Sequence, residues 1–322
     1  MKNSYFENTD INPYQVLTIY PTELSIFGSH TFHELMLSDD VRMRAYKNAI
    51  TAAGRDHPNA NWVDIGSGLC PLSLFAAQLG SAKRVTAIEG VKSTYDLSKM
   101  IVDSQPSGIS KKIQIINGYS YDINFPHPFD FLITETIGNF GFEEGIIALI
   151  NDAKKRFLTK NTVIIPSEIE LYVSPIESFR CEKRITYWKS KKHGLDFSKM
   201  IDRASNTVYH HRASKDELLG RPVKCYSIDF MKPGLIPEKL NFKSEHVIER
   251  SGTLHGFIGW FRARLYKNIY LSNNPLIKNT SFNWTQAFFP ICFSSKTSVR
   301  KGQKLNFNIE WDFSKNTLHW ES

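Results

Sequence analysis

The feature that most constrains the fold is a regular alternation of short apolar runs and longer amphipathic runs in the first half of the chain. The segments NWVDIGSG, RVTAIEG, KIQIINGYS and FDFLITE read as strands, and PLSLFAAQLGSA and KSTYDLSKMIVDS lie between them as helices. This order implies a parallel sheet with helices on both faces. The sequence therefore predicts an α/β domain whose ligands lie at the carboxyl ends of the strands.

A glycine turn follows the first predicted strand, in the sequence DIGSGLCP. Glu89 ends the next strand, 23 residues after Gly66, and a carboxylate there can accept hydrogen bonds from both hydroxyls of a ribose. The G-x-G-x-x-G pattern of dinucleotide sites is incomplete, so we predict a ligand with one nucleoside and no pyrophosphate. S-Adenosylmethionine meets that description, and its predicted contacts are Asp64, Gly66, Ser67, Gly68 and Glu89.

A loop with three carboxylates, TETIGNFGFEEG, follows the fourth predicted strand. Carboxylates are costly to bury unless they are paired. The loop that carries Glu135, Glu143 and Glu144 is therefore either solvated or built to bind a cation.

The net charge of +8 is unevenly distributed along the 322 residues. Residues 1–166 carry 15 lysines and arginines against 17 aspartates and glutamates, a net charge of −2. Residues 167–322 carry 25 against 15, a net charge of +10. A basic half can indicate nucleic-acid binding. The sequence has no zinc-finger spacing or aromatic RNA-binding motif, so a solvated lysine-rich surface is the favoured interpretation.

Four scattered cysteines, Cys70, Cys181, Cys225 and Cys292, form neither a C-x-x-C motif nor a metal-ligand spacing. This usage predicts reduced thiols, no metal site and a cytoplasmic location. No apolar run of about 18 residues is present, so we expect no membrane span. The N-terminus lacks the apolar core of a secretory signal.

Six segments together resemble the protein arginine methyltransferase family, in the same order and over nearly the whole chain. The double-glutamate loop with a downstream Trp-x-Gln is the more specific part, because glycine turns occur in many methyltransferases. The matching segments are HELMLSDDVRMRAYKNAI, VDIGSGLCPLSLFAAQLGSAKRVTAIEG, FDFLITETIGNFGFEEG, VIIPSEIELYVSPIE, LHGFIGWFRARL and FNWTQAFFPI.

The resemblance implies that Glu135 and Glu144, nine residues apart, clamp one arginine guanidinium as catalytic residues. Glu143 is an extra acid outside that pair. Arginine is always protonated and its fork of N–H groups matches a carboxylate. Two carboxylates would hold the guanidinium in plane and leave one terminal nitrogen facing the methyl donor, so that positioning supplies much of the rate.

Further positions are implied by the same resemblance. Arg42 matches an arginine that pairs with the cofactor carboxylate, and Ser120 and Tyr121 fall near the adenine. The implied substrate-pocket residues are Met36, Asn283, Trp284 and Gln286. The first of the matching segments corresponds to a single helix that precedes the nucleotide fold.

The chain departs from the family pattern at several of these positions. Thr136 replaces a tryptophan, and Ile146 replaces a methionine linked to the number of methyl groups transferred. Asn283 replaces a histidine that pairs with an acid matching Asp39, so we expect no histidine ionisation in the rate. The aromatic N-terminal cofactor lid is only partly present, with Phe27. These changes bear on product and substrate more than on cofactor binding.

After Pro166 the pattern changes to short alternating runs such as IELYVSPI and KLNFNIEW, which predict antiparallel strands. The predicted organisation is a helical segment at 1–45, a Rossmann-like cofactor domain at 46–166 and a β-barrel substrate domain at 167–322. Residues 180–215 resemble a helical dimerisation arm. Residues 180–192 contain six basic residues and one acid, which a solvated face also explains.

Three functions are compatible with these observations. The first is S-adenosylmethionine-dependent methylation of arginine in a protein or peptide, by a homodimer. The second is methylation of free arginine or a small guanidine metabolite by the same clamp, since a +10 half repels arginine-rich tails. The third is a non-catalytic partner of a related methyltransferase, which the intact glutamate pair argues against.

Overall fold

The computed structural model describes residues 3–5, 28–278, 280–291, 297–315 and 317–322. Phe27 and Cys292 lie outside these ranges. The three cysteines within them, Cys70, Cys181 and Cys225, are free thiols. No helix in the described ranges has both the length and the apolar character needed to cross a membrane.

The first half of the chain alternates strands and helices as predicted. After strand β1 (Asn3–Tyr5), the elements are α1 (His30–Ser38), α2 (Asp40–Asp56), β2 (Asn61–Ile65), α3 (Pro71–Gln78), β3 (Arg84–Glu89), α4 (Lys92–Asp103), α5 (Ser107–Ser110), β4 (Ile113–Asn117), a 3-10 turn (Ser120–Asp122), β5 (Phe131–Thr134), α6 (Ile146–Arg156) and β6 (Val163–Ile165).

Strands β2 to β6 form one parallel sheet in the order β4-β3-β2-β5-β6. Strands β3 and β4 are added on one side of β2, and β5 and β6 on the other. The crevice of a doubly wound sheet therefore lies at the carboxyl ends of β2 and β5. Asp64 of β2 is in register with Ala87 of β3 and Ile133 of β5, which brings the glycine turn, Glu89 and the double-glutamate loop to one edge. The predicted α/β class is confirmed.

The segment HELMLSDDVRMRAYKNAI forms two helices where one was predicted. Asp39 interrupts it, and its side chain caps α2 by accepting a hydrogen bond from the backbone N–H of Arg42 at 3.1 Å. An acid at a helix start satisfies amide groups that have no partner within the helix. Helix α2 then runs through residue 45, so the predicted boundary there does not coincide with the end of a helix.

The second half is mostly antiparallel. Its elements are β7 (Glu168–Ile176), α7 (Phe179–Thr186), a 3-10 turn (Tyr187–Lys189), α8 (Met200–Ser205), β8 (Tyr209–His211), a 3-10 turn (Lys215–Glu217), β9 (Val223–Asp229), β10 (Lys239–Val247), β11 (Gly252–Leu254), β12 (Gly256–Tyr266), β13 (Ile269–Ser272), β14 (Gln286–Pro290), β15 (Thr297–Val299), β16 (Lys304–Asp312) and β17 (Thr317–Glu321).

Two larger antiparallel sheets make up this barrel-like domain. One has the order β8-β14-β12-β7-β9, with β13 beside β12, and the other has the order β1-β17-β16-β10. Aromatic side chains join them, since Phe257 stacks on Phe307 with ring centroids 4.3 Å apart and Phe289 meets Trp320 at 5.7 Å. The helices α7 and α8 lie between β7 and β8 and form the predicted arm.

The double-glutamate loop packs directly against the barrel-like domain. Phe140 is fully buried and contacts Phe289 with ring centroids 5.1 Å apart. Gly141 has φ of +90°, and a Cβ there would come within 2.9 Å of Leu171 on β7. Close packing of this kind fixes the loop between the two halves of the molecule.

Candidate active site

The glycine turn after β2 has the conformation expected of a ligand-binding turn. Gly66 and Gly68 have φ of +74° and +53°, a region that side chains with a Cβ rarely adopt. The backbone N–H groups of Gly66 and Ser67 both donate to the carbonyl of Ile88 at 3.0 Å. The turn is therefore tied to the end of β3, where Glu89 lies.

Glu89 is buried at the carboxyl end of β3. Its two carboxylate oxygens accept hydrogen bonds from the backbone N–H groups of Gly68 and Val91, each at 2.8 Å. Burial raises the pKa of this carboxyl, and those two hydrogen bonds oppose the rise. Each oxygen keeps a second lone pair for a ligand hydroxyl.

Asp64 supports the turn from below. Its Oδ2 accepts a hydrogen bond from the Ser73 hydroxyl at 2.7 Å, which ties β2 to helix α3. Its Oδ1 is buried and has no hydrogen-bond partner among the described residues, and burial raises the pKa of the carboxyl to about 7. The Asp64 side chain therefore has a structural contact in addition to its predicted cofactor contact.

Arg42 and Glu135 form an ion pair at the start of the double-glutamate loop. Their side chains are only 12% and 10% exposed, and Arg42 Nη2 donates to Glu135 Oε2. Burial raises the pKa of the Glu135 carboxyl, although the Arg42 guanidinium lowers it. The sequence had assigned Arg42 to the cofactor carboxylate alone, whereas the structure pairs it directly with a clamp residue.

Glu143 and Glu144 face different surroundings at the other end of the loop. Burial, followed by repulsion from Glu135 and Glu143, raises the pKa of Glu144 well above its ordinary value. Glu143 turns towards its own loop, where its Oε1 accepts the backbone N–H of Phe140 at 2.5 Å. A Cβ at Gly138 would lie 2.4 Å from Glu143 Oε2, so a larger residue there would displace the Glu143 carboxylate.

The loop therefore holds three carboxylates close together, of which Glu135 and Glu144 interact with the Arg42 guanidinium. Burial raises the pKa of the Glu143 carboxyl to about 7, and its Oε2 has no hydrogen-bond partner in the described part of the chain. When all three acids ionise, the group carries an excess of two negative charges. Of the two readings of the loop, solvated or cation-binding, this arrangement favours the second.

Trp284 forms a wall of the same site. Its indole Nε1 donates to the carbonyl of Ile137 at 2.8 Å, and the Arg42 guanidinium lies 5.4 Å from the ring centroid. Phe261 meets the other side of the ring edge-on, with centroids 5.3 Å apart. Trp284 therefore lies beside Arg42 and the double-glutamate loop, and its contact with a substrate stays a prediction.

Asn283 keeps part of the connection that a histidine would make. Its backbone N–H donates to Asp39 Oδ2 at 3.2 Å, and its side chain donates to the carbonyl of Leu35 at 2.8 Å. The Ser281 hydroxyl also donates to Asp39 Oδ2. Asp39 therefore anchors this loop without an ionisable partner from it.

Gln286 has a position that favours a structural role over the substrate contact that we predicted. Its Oε1 accepts the backbone N–H of Ala213 at 2.9 Å, and its Nε2 donates to the carbonyl of Asn273 at 2.6 Å. The side chain is 1% exposed. Both ends of the amide therefore hold backbone together inside the barrel-like domain.

Three further predicted site residues lie on α1 and in the 3-10 turn after β4. Met36 is half-buried on α1. Ser120 is buried, and its carbonyl accepts Arg156 Nη2 at 2.6 Å. Tyr121 is exposed and stacks on Tyr119 with ring planes 6° apart and centroids at 5.3 Å. Their contacts with a cofactor or substrate stay predictions.

Sequence reasoning missed the polar residues that join the double-glutamate loop to the Trp284 loop. Asn139 Oδ1 accepts both the backbone N–H and the hydroxyl of Thr285, at 2.8 and 3.0 Å. Asn273 Nδ2 donates to the carbonyl of Asn139 at 2.8 Å. The one available signal was a polar residue within an otherwise apolar and aromatic stretch, NFGF.

Comparison with known proteins places this chain in a family. Residues 167–321 match the family described as "Arginine methyltransferase oligomerization subdomain". The chain is 30% identical over 277 residues to protein arginine N-methyltransferase 1 of Oryza sativa subsp. indica, a match that covers 83% of this chain and 68% of that protein. It is 26% identical over 272 residues to protein arginine N-methyltransferase 6 of Danio rerio, covering 81% and 76%.

Solved structures show the same fold. The Trypanosoma brucei PRMT1 enzyme–prozyme heterotetrameric complex with AdoHcy aligns with a TM-score of 0.79 at 18% identity, over 88% of both chains. Arabidopsis thaliana protein arginine methyltransferase 10 aligns at 0.74 and 22% identity, also over 88% of both. The sequence matches confirm the predicted resemblance, and the chain belongs to the protein arginine N-methyltransferase family.

Proposed function

We propose that this chain transfers a methyl group from S-adenosylmethionine to a guanidino nitrogen of arginine in a protein or peptide. The observation that carries the proposal is the pair of half-buried carboxylates, Glu135 and Glu144, beside Arg42 and Trp284. It lies at the same sheet edge as the glycine turn and Glu89. A site for a cation and a site for a nucleoside therefore adjoin each other, as the family's reaction requires.

The residues at the glycine turn fit the methyl donor. Glu89 can accept the ribose hydroxyls on the lone pairs that its backbone partners leave, and the two glycines allow the ligand to approach the backbone. Arg42 has five N–H donors, of which Glu135 engages Nη2, so others can reach the ligand's carboxylate. When bound, S-adenosylmethionine supplies an electrophilic methyl group on a sulfonium.

The clamp binds and orients the acceptor. Glu135 and Glu144 can each accept two parallel N–H bonds from the planar guanidinium, which directs one nitrogen towards the donor side of the site. Bringing a cation next to these carboxylates lowers their raised pKa values, so acceptor binding releases protons from them. Because Asn283 cannot titrate, the Glu144 carboxylate is the group that we assign to receive the proton from the guanidinium.

Assembly is part of the proposal. The arm exposes large apolar side chains, with Tyr187 and Leu195 at 51% and 62%, and Phe179 directly before it is 66% exposed. Met100 on α4 is 69% exposed. We propose a homodimer in which each arm packs on the other subunit's cofactor domain. Sedimentation showing a monomer at tens of micromolar protein contradicts this.

Incubation with isotope-labelled S-adenosylmethionine tests the activity. Peptides with one arginine, the same peptides with lysine in its place, and free arginine are compared, and labelled products are identified after acid hydrolysis. Label on peptide arginine alone supports the proposal. Label on free arginine alone supports the small-guanidine alternative, and label on no acceptor supports a non-catalytic partner.

A further inference from the structure

The arm's return segment holds the Trp284 loop at three points. Arg212 Nη2 donates to the carbonyl of Phe282, and the Ala213 N–H donates to Gln286 Oε1 at 2.9 Å. Between them, His210 Nδ1 lies 3.2 Å from the hydroxyl of Thr285. Residues 210–213 therefore contact both ends of residues 282–286, and β8 pairs with β14 in the same place.

The opposite side of the same loop is bound to the double-glutamate loop. Asn139 Oδ1 accepts the N–H and the hydroxyl of Thr285, and Asn273 Nδ2 donates both to the carbonyl of Asn139 and to that of Thr285. Asn139 lies between Glu135 and Glu144 in the chain. Thr285 is thus the point at which the arm and the clamp loop meet.

The donors and acceptors in this connection have a defined order. The backbone N–H of Thr285 can only donate, so the atom of Asn139 that faces it is the amide oxygen. The Thr285 hydroxyl gives its single hydrogen to that oxygen, so it must accept from His210, which carries a proton on Nδ1. The chain of hydrogen bonds runs from His210 through Thr285 to Asn139.

We propose that His210, Arg212, Thr285 and Asn139 are positioning residues, through which the return segment of the arm sets the acceptor pocket. Trp284 lies between the held residues Phe282 and Thr285, so these contacts fix its ring beside the clamp. The consequence for catalysis rests on the proposed function. The loss of these contacts loosens acceptor binding and leaves the glycine turn intact, because no described contact of the four residues reaches that turn.

Two variants of Thr285 differ only in the feature that matters. Thr285→Val keeps the shape and removes the hydroxyl, and Thr285→Ser keeps the hydroxyl. We expect the valine variant to raise the acceptor KM about threefold to tenfold, the effect of one or two lost hydrogen bonds, with an unchanged cofactor Kd. The serine variant should stay within about twofold of the parent.

Arg212→Ala extends the test to the arm. Arg221→Ala is the matched control, because Arg221 is 85% exposed and its one ion pair among the described residues is with Glu249 on the surface. Arg212→Ala should raise the acceptor KM about tenfold, since its contact with Phe282 is charge-assisted, and Arg221→Ala should leave it unchanged. Equal effects of the two variants overturn the proposal.

Amide hydrogen exchange separates this inference from the proposed function, because it needs no turnover. Thr285→Val and His210→Ala should both speed exchange in residues 282–286 and 138–142, whereas Thr285→Ser should not. If the parent methylates no guanidine, the proposed function fails and the exchange data still decide the connection. Unchanged exchange in Thr285→Val and His210→Ala overturns it, and if the valine variant does not fold, His210→Ala alone decides.

Discussion

The two loops at the carboxyl ends of the strands differ in the partners of their carboxylates. Glu89 beside the glycine turn has both oxygens hydrogen-bonded to backbone N–H groups. In the double-glutamate loop, Glu144 is instead repelled by Glu135 and Glu143, and the Arg42 guanidinium pairs with Glu135. In the first loop both carboxylate oxygens have donors from the protein, whereas the second loop has an excess of negative charge.

This difference divides the work between the loops. A carboxylate already held by backbone amides is rigid and suits the neutral hydroxyls of a nucleoside. A group of buried acids with raised pKa values becomes fully ionised only beside a cation, so it suits a guanidinium. Cofactor affinity and acceptor affinity should therefore respond to different residues, except at Glu135, whose pairing with Arg42 connects the two sites.

The largest effect is expected at the clamp. Glu144→Gln keeps the size of the side chain and removes a charge, and the loss of one charge-assisted contact costs about 1.5–3 kcal/mol, or about tenfold to a hundredfold. Misorientation of the acceptor adds to the loss. Single-turnover methyl transfer at saturating cofactor measures it, and the cofactor Kd should stay unchanged.

Glu135→Gln sharpens the same comparison. It should be as damaging to turnover, but Glu135 also pairs with Arg42, which we assign to the cofactor carboxylate. This variant should therefore weaken cofactor binding severalfold, where Glu144→Gln does not. If both variants bound the cofactor as tightly as the parent, the ion pair would have no role in organising Arg42.

The next largest effect is expected at Glu89, beside the glycine turn. Glu89→Ala removes the acceptor of two backbone N–H groups and of the proposed ribose contacts, so cofactor binding should weaken by about 1–3 kcal/mol. Isothermal titration calorimetry with S-adenosylmethionine measures the change, and Glu144→Gln serves as the control that retains affinity. Tighter binding of NAD than of the methyl donor by the parent would contradict the nucleoside assignment.

The pH dependence of turnover provides a third test. Burial raises the pKa of Glu135 and Glu144, and the guanidinium binds the ionised clamp, so kcat/KM should rise with pH through the neutral range. Below both pKa values the slope should approach about a hundredfold per pH unit, because both carboxyls must lose a proton. Because Asn283 stands where the family has a histidine, no histidine ionisation is expected in the rate. The rise with pH is expected instead from ionisation of the clamp carboxylates. A profile in the parent that is flat between pH 6 and 9 would contradict it, and Glu144→Gln should flatten the rise.

The sequence carried the parallel sheet and the clamp pair because their signals are local. Strand and helix periods fix the alternation, and a glycine turn, a strand-end acid and a nine-residue glutamate spacing each lie within one segment. The break at Asp39 was hidden because a helix start inside a helical pattern depends on one capping side chain. The roles of Gln286 and Asn139 each depend on a partner more than 70 residues away, Ala213 and Thr285, which a single sequence does not display.

The smallest effect on turnover is expected at Glu143, where stability changes instead. Burial raises the pKa of this carboxyl to about 7, against an ordinary value of ~4.3 in the unfolded chain. The folded state therefore holds the proton more tightly, so the destabilising contribution is absent below about pH 4 and grows until the pH passes the folded value. Glu143→Gln removes it and should raise the free energy of unfolding by about 1–3 kcal/mol at pH 8, with almost no gain at pH 4. Thermal unfolding at both pH values measures this.

Turnover of Glu143→Gln should change no more than about threefold, because Glu143 bonds to its own loop at Phe140, and the weaker repulsion lowers the pKa of Glu144. A loss of turnover as large as that of Glu144→Gln would place Glu143 in the clamp.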